Sequence, residues 1–268
     1  NDAMGSAGSA VTYHPITNGA DGSTIAQLSE AMRTGSVKTL LILGGNPAYD
    51  APADTGFASA LVALDGSAHL SLHEDETSQA CTWHVNAAHW LEAWGDGRAS
   101  DGTVCIQQPL ILPLFGGVSA IELLSTLAGH DEDQGRDLVR GTFSDGRISG
   151  WDPAWRKAVH DGVVPGSASK GQVPAITFGS PMPAGEAKEG DLVVVFSADG
   201  STWDGRFANN GWMQEVPDTL TKLTWDNAAL LSPATADALG VRQGDVMTVS
   251  VGDASIEIAA LPVPGIAE

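Results

Sequence analysis

Four consecutive apolar residues, Leu40-Leu-Ile-Leu43, run straight into Gly44-Gly-Asn-Pro47. A strand without polar alternation is buried on both faces, which marks a parallel sheet covered by crossover helices. The flanking sequence supplies those helices. Thr24–Thr34 places Ile25, Leu28 and Met32 on one helical face with Gly35 as a stop. After the strand Val37–Leu43 and its glycine turn, Thr55–Leu64 predicts a helix with Phe57, Ala60, Leu61 and Leu64 inward, and Ala68–His73 predicts a further strand. Helix, strand, Gly-rich turn, helix and strand in this order predict an α/β, doubly wound (Rossmann-like) parallel sheet.

Further along, Ser119-Ala-Ile-Glu122 is a capping box that opens a helix through Leu127, with Ile121, Leu124 and Leu127 or Leu123 as its buried stripe. Between about Gly129 and Gly190 the sequence turns to charged turns, one helix at Pro153–His160, and a Gly, Pro and Ser-rich stretch from Gly162 to Gly185. Such composition predicts a connector. From Asp191, Leu-Val-Val-Val-Phe196 restarts strand structure. The organisation expected is a flexible lead-in over 1–22, an α/β domain over 23–130, a connector with a short helix over 131–190, and a β domain over 191–268.

The β domain is punctuated sharply. Ser232 suits a helix N-cap, Pro233 its first turn and Gly240 its left-handed C-terminus. Met247, Val249 and Val251 then alternate with polar residues, as do Ile256, Ile258 and Ala260, across the turn Gly252-Asp253. That is a hairpin with one apolar face. Two strands neither close a barrel nor protect their edges. The expectation is an incomplete barrel, finished by the remainder of its own polypeptide, by a partner, or by a second copy pairing with the open edge.

The balance of 33 acidic against 13 basic residues, a formal charge of −20, argues against nucleic acid and against an anionic membrane surface. Such acidity reads as a solvated and soluble surface or as a salt-adapted source. No apolar run reaches the ~18–20 residues of a membrane span, and the first residues lack the basic and apolar regions of a signal peptide. Two cysteines, Cys81 and Cys105, do not decide the redox compartment.

Three constellations bear on chemistry. The turn Gly44–Pro47 lies at the C-terminal end of a parallel strand, where ligands of open α/β sheets sit, although it matches no phosphate fingerprint. His69, His73, Glu74, Asp75, Glu76, Cys81, His84, His89 and Glu92 form a dense set of metal-ligand types. Their spacing matches no metal motif, and His69 and His73 on one strand lie ~13 Å apart. Trp203–Glu215 combines two tryptophans, Arg206, Asn209 and Asn210 in a loop suited either to a flat polar ligand or to aromatic anchoring.

Three segments together resemble the molybdopterin oxidoreductase superfamily: Leu40–Ala48; Glu74–Cys81 with Glu92 and Asp101-Gly-Thr103; and Asn209–Glu215 through Gly244-Asp245. His84–Asp96, Gln108–Phe115 and Gly205–Trp212 resemble most the molybdopterin-like iron–sulfur subunit of bacterial alternative complex III. The resemblance implies a cofactor-type α/β domain followed by part of a double-psi β-barrel. By position, Gly44, Gly45, Asn46, Pro47, Glu76, Thr77, Asn209, Asn210 and Asn227 would line the cofactor region.

It also implies that no catalytic or metal-ligating residue lies in this chain. The metal-holding side chain belongs upstream and the iron–sulfur clusters belong elsewhere in the parent subunit. Bulky His84, His89, Trp83, Trp90 and Trp94 accord with a filled pocket. The expected function is therefore a scaffold that supports electron transfer in a periplasmic, quinol-oxidising complex, attached to the membrane through other subunits and holding no cofactor here. One alternative is the cofactor-binding part of an active molybdopterin guanine dinucleotide oxidoreductase. An alternative of another class is a metallohydrolase built on the His-rich region 69–92.

Overall fold

The computed structural model describes residues 4–15, 22–131, 134–143, 151–172, 192–252 and 254–266, in two compact units, Asn1–Glu186 and Ala187–Glu268. In the first unit, α1 (Ile25–Arg33) begins at a complete capping box. Thr24 accepts from the Gln27 amide while the Gln27 side chain accepts from the Thr24 amide. Strand β1 (Thr39–Leu43) leads through the glycine turn to the short helix α2 (Pro47–Asp50) and then α3 (Phe57–Val62). Strand β2 (Gly66–Ser71), helix α4 (Glu76–Ala80) and strand β3 (Trp83–Asn86) complete the sheet.

The three strands are parallel in the order β1-β2-β3. This bears out a parallel α/β layer. The order is sequential, so the strand reversal that defines a doubly wound sheet is absent among the described residues. Helices α1 to α4 pack on one another, and Met32, Ile42, Phe57, Ala60 and Leu61 form the first core. At about 1.5–3 kcal/mol for each large apolar side chain buried, these residues carry the layer.

A second core follows. Strands β4 (Gly95–Arg98) and β5 (Val104–Gln107) pair antiparallel, and helices α5 (Ala120–Leu127), α6 (Gly135–Phe143) and α7 (Trp151–Asp161) come after them. Ile106, Val139, Trp155 and Ala158 are buried together, with Trp94 stacked on Trp155 at 6.3 Å. Of the stretch expected as a connector with one helix at Pro153–His160, α7 covers that helix and α6 is a second one, and both contribute to the core with Ile106 of β5. Helix α6 escapes a sequence reading because its only buried apolar side chain is Val139, set among charges.

The capping box at Ser119 and Glu122 forms as expected. The buried stripe does not: Leu124 and Leu127 face solvent, and Ile121 is the stripe residue that meets the core. The described part of the lead-in is tied down, with Tyr13 bridged to Gln172 and His14 bonded to Ser169 at 3.0 Å. Residues 1–3 and 16–21 of the lead-in, residues 173–185 of the Gly, Pro and Ser-rich stretch, and Asp253 of the hairpin turn lie outside the described residues.

In the second unit, α8 (Gly211–Glu215), β6 (Ala228–Leu231), α9 (Pro233–Leu239), β7 (Val246–Val251) and β8 (Ala254–Pro262) follow in sequence. Ser232 caps α9 and Gly240 ends it in the left-handed region, as the sequence indicates. The hairpin also forms, pairing Met247 with Ile258 and Val249 with Ile256. Its sheet is a three-stranded open one, β6-β8-β7, with β6 parallel to β8; no barrel is seen among the described residues. Three strands cannot curl far enough to close on themselves. Leu192–Phe196 forms no strand and its side chains are exposed, so apolar content there does not produce pairing.

Candidate functional site

Gly44 and Gly45 have φ of +75° and +76°. For an L residue this region costs roughly 1–2 kcal/mol, which glycine avoids. The Gly44 amide makes the last rung to the Leu70 carbonyl at 2.9 Å, and the chain then leaves the sheet. A Cβ on Gly44 would meet no heavy atom within 4 Å. Among the described residues the amides of Gly45 and Asn46 have no acceptor. Two adjacent donors beside open space suit an anionic group.

Asn46 joins this turn to α4. Its Oδ1 accepts from the Thr77 amide at 3.1 Å and the Thr77 hydroxyl at 2.7 Å, and its Nδ2 donates to Glu76 Oε2 at 2.7 Å. The Thr77 hydroxyl oxygen in turn accepts from the Ala48 amide at 2.9 Å. Thr77 is fully buried, so these bonds are shielded from water. The structure therefore brings Gly44, Gly45, Asn46, Pro47, Glu76 and Thr77 together at the C-terminal edge of the sheet, because the turns after β1 and β2 are neighbours there.

Beneath the turn lies a group that the sequence did not single out as a unit. The β2–β3 register sets His69 beside His84, and Asp75 and Ser78 from α4 close over them. His69 is fully buried, with Nε2 3.0 Å from the Gly45 carbonyl and Nδ1 2.8 Å from Ser78 Oγ. Asp75 caps α4 by accepting from the Ser78 amide at 2.9 Å, and its Oδ1 lies 3.3 Å from His69 Nδ1. Burial lowers the His69 pKa, a shift that the Asp75 carboxylate opposes. The readable signal was Asp75-x-x-Ser78, an N-cap spacing directly after a strand that carries a histidine.

The other histidines go elsewhere. His73 is exposed beyond β2, and His89 accepts from the Leu91 amide and lies against Trp90. Among the described residues no three His, Cys, Asp or Glu side chains converge on a metal position, and Cys81 and Cys105 are free thiols. Burial raises the Cys81 pKa, which makes it a poor nucleophile. The expected filled pocket also dissolves: Trp83 and Trp90 are exposed, and Trp94 belongs to the second core.

In the second unit, Asn210 caps α8 by accepting from the Met213 amide at 3.2 Å, and the Asn227 side chain accepts from the Ala228 amide at 3.1 Å. The Trp225 amide donates to the Gln214 carbonyl at 3.0 Å, which ties the Asn227 loop to α8. Asn209, Asn210 and Asn227 are exposed along this junction. Arg206 grips Asp204 through two nitrogens, at 2.9 and 2.7 Å, and holds that carboxyl down to about 2. Trp203 and Trp212 are exposed, so this loop is not anchored by its tryptophans.

No protein-family profile and no curated protein matches the chain. Among solved structures it is similar to acetylene hydratase from Pelobacter acetylenicus, with a TM-score of 0.54 and 17% identity over 92% of this chain. At that identity the likeness is one of fold alone. The chain spans 38% of the length of that relative. At the turn Gly44–Asn46 no Cβ obstructs the approach and two amides are available to an anionic group.

Proposed function

We propose that this chain is part of a molybdopterin-oxidoreductase-like subunit, with a parallel-sheet domain and a portion of a double-psi barrel. The subunit supports electron transfer in a periplasmic, quinol-oxidising respiratory complex, in which the fold serves as a scaffold without molybdenum. The observation that carries the scaffold reading is the closure of the Asn46–Thr77–Glu76 set on itself. The side chains that by position would meet a cofactor direct their hydrogen bonds at one another. Among the described residues no helix is long and apolar enough to cross a membrane, which accords with attachment through other subunits.

Metal analysis of the intact parent protein, purified from its source, is expected to find iron and no molybdenum. Stoichiometric molybdenum with a pterin would overturn the scaffold reading.

A second reading rests on the Gly44–Asn46 turn. In an active enzyme the amides of Gly45 and Asn46 would bind the phosphates of a guanine dinucleotide, and Glu76 and Thr77 would hold the turn in place. The cofactor would supply the redox chemistry; these residues only bind and orient it. Acid extraction of the same preparation separates the two, since release of guanine nucleotide in equal amount to protein supports the second reading alone.

A further inference from the structure

The buried ring of His69 has two neighbours that can only accept, the Gly45 carbonyl at Nε2 and the Asp75 carboxylate at Nδ1. The Gly45 carbonyl, 3.0 Å from Nε2, is the nearer of the two, against 3.3 Å from Asp75 Oδ1 to Nδ1, and it places the single proton of neutral His69 on Nε2. In neutral His69 the Nδ1 atom is then an acceptor. It takes the Ser78 hydroxyl proton at 2.8 Å, a shorter contact than the 3.4 Å from that hydroxyl to the His73 carbonyl. With its proton so used, Ser78 Oγ accepts from His84 Nδ1, also at 2.8 Å. The hydrogen bonds therefore run in one direction, His84 to Ser78 to His69 to Gly45.

His84 is half-buried, and its Nε2 has no partner among the described residues, whereas His69 is fully buried. The geometry points to a proton relay in which His84 takes a proton at Nε2 and His69 receives one at Nδ1 through the Ser78 hydroxyl. The step balances. A proton binds His84 Nε2, the His84 Nδ1 proton passes to Ser78 Oγ, and the Ser78 hydroxyl proton passes to His69 Nδ1. His84 ends neutral as its Nε2–H tautomer, Ser78 ends as a hydroxyl, and His69 ends as an imidazolium.

The acceptor end is built for that charge. Asp75 Oδ1 stands 3.3 Å from His69 Nδ1, and Ser71 Oγ and the Ser78 amide bond the same carboxylate. Asp75 and His84 are the charged or titratable groups that act on His69; the other elements around it present Ser78 and the carbonyls of Gly45 and His73. Desolvation opposes the charged ring, so the relay delivers protons reversibly to the underside of the Gly45 turn. This function does not depend on whether a pterin is held.

Nitrogen-15 spectra of the histidine rings test it in the full chain. At neutral pH His69 is expected as the Nε2–H tautomer and His84 as the Nδ1–H tautomer. In Ser78→Ala, His84 is expected to revert to Nε2–H, and exchange of the His69 ring proton with solvent to slow by about tenfold or more. His84 as Nε2–H in the wild type, or unchanged exchange in Ser78→Ala, overturns the relay. Should Ser78→Ala not fold, Ser78→Thr keeps the hydroxyl, and the wild-type tautomers alone support or overturn the proposal.

Discussion

Replacing Asn46 with alanine tests whether the edge of the sheet is held by one side chain. The change removes three hydrogen bonds: two from Thr77, through its amide at 3.1 Å and its hydroxyl at 2.7 Å, and one to Glu76. Glu76 is exposed and regains water, so its bond adds little. Thr77 is fully buried, and two donors are left without an acceptor. At about 1–1.5 kcal/mol for each, the loss is about 2–3 kcal/mol. With a urea slope of about 2 kcal/mol per molar, the midpoint falls by about 1–1.5 M. The assay is urea unfolding followed on the amide signals of β1 and β2, which report the first unit alone. Thr77→Val supplies the second arm of a double-mutant cycle and is expected to couple to Asn46→Ala by about 1 kcal/mol or more. A midpoint shift below about 0.3 M, or strict additivity of the two changes, refutes the claim that Asn46 fastens the turn to α4.

Three further outcomes are expected. Because His69 is buried and its pKa lies below the ordinary histidine value, the unfolded chain takes the proton first as pH falls. Stability of the first unit is therefore full above the ordinary histidine range and declines through it on acidification, and His69→Gln flattens that decline in pH-dependent denaturation. Gly117→Ala places a Cβ 2.6 Å from the Ala87 carbonyl oxygen, so it should cost about 1–3 kcal/mol and weaken the Ala87–Val118 bridge, read as faster amide exchange at Ala88 and Val118. Ser232→Ala removes the cap that accepts from Thr235 at 3.0 Å and should lower second-unit stability by about 1–2 kcal/mol in thermal unfolding.

What the sequence made legible was local. Ser119 with Glu122 and Ser232 with Gly240 specify helix ends within a few residues, and both form. The run Leu40–Leu43 likewise becomes a strand with a parallel neighbour. Position in a third dimension was not legible. Leu124, Leu127 and Leu192–Phe196 share the chemistry of core residues yet remain exposed, because burial depends on a facing surface that no short window encodes. His69 and His84 illustrate the converse: they stand far apart along the chain, and only the strand register makes them neighbours. The candidate turn was readable from Gly44-Gly-Asn-Pro47, whereas its anchoring by Thr77 required knowing that the turns after β1 and β2 adjoin.

The strand order of the second unit has a consequence for how that unit is made. β8 is the centre of its sheet and bonds both β6 and β7, yet it is the last of the three to leave the ribosome. Until Ala254–Pro262 has emerged, β6 and β7 have no common partner. The three-stranded sheet therefore forms only once β8 is in place, and a cut that removes β8 takes out the middle of the sheet rather than a margin.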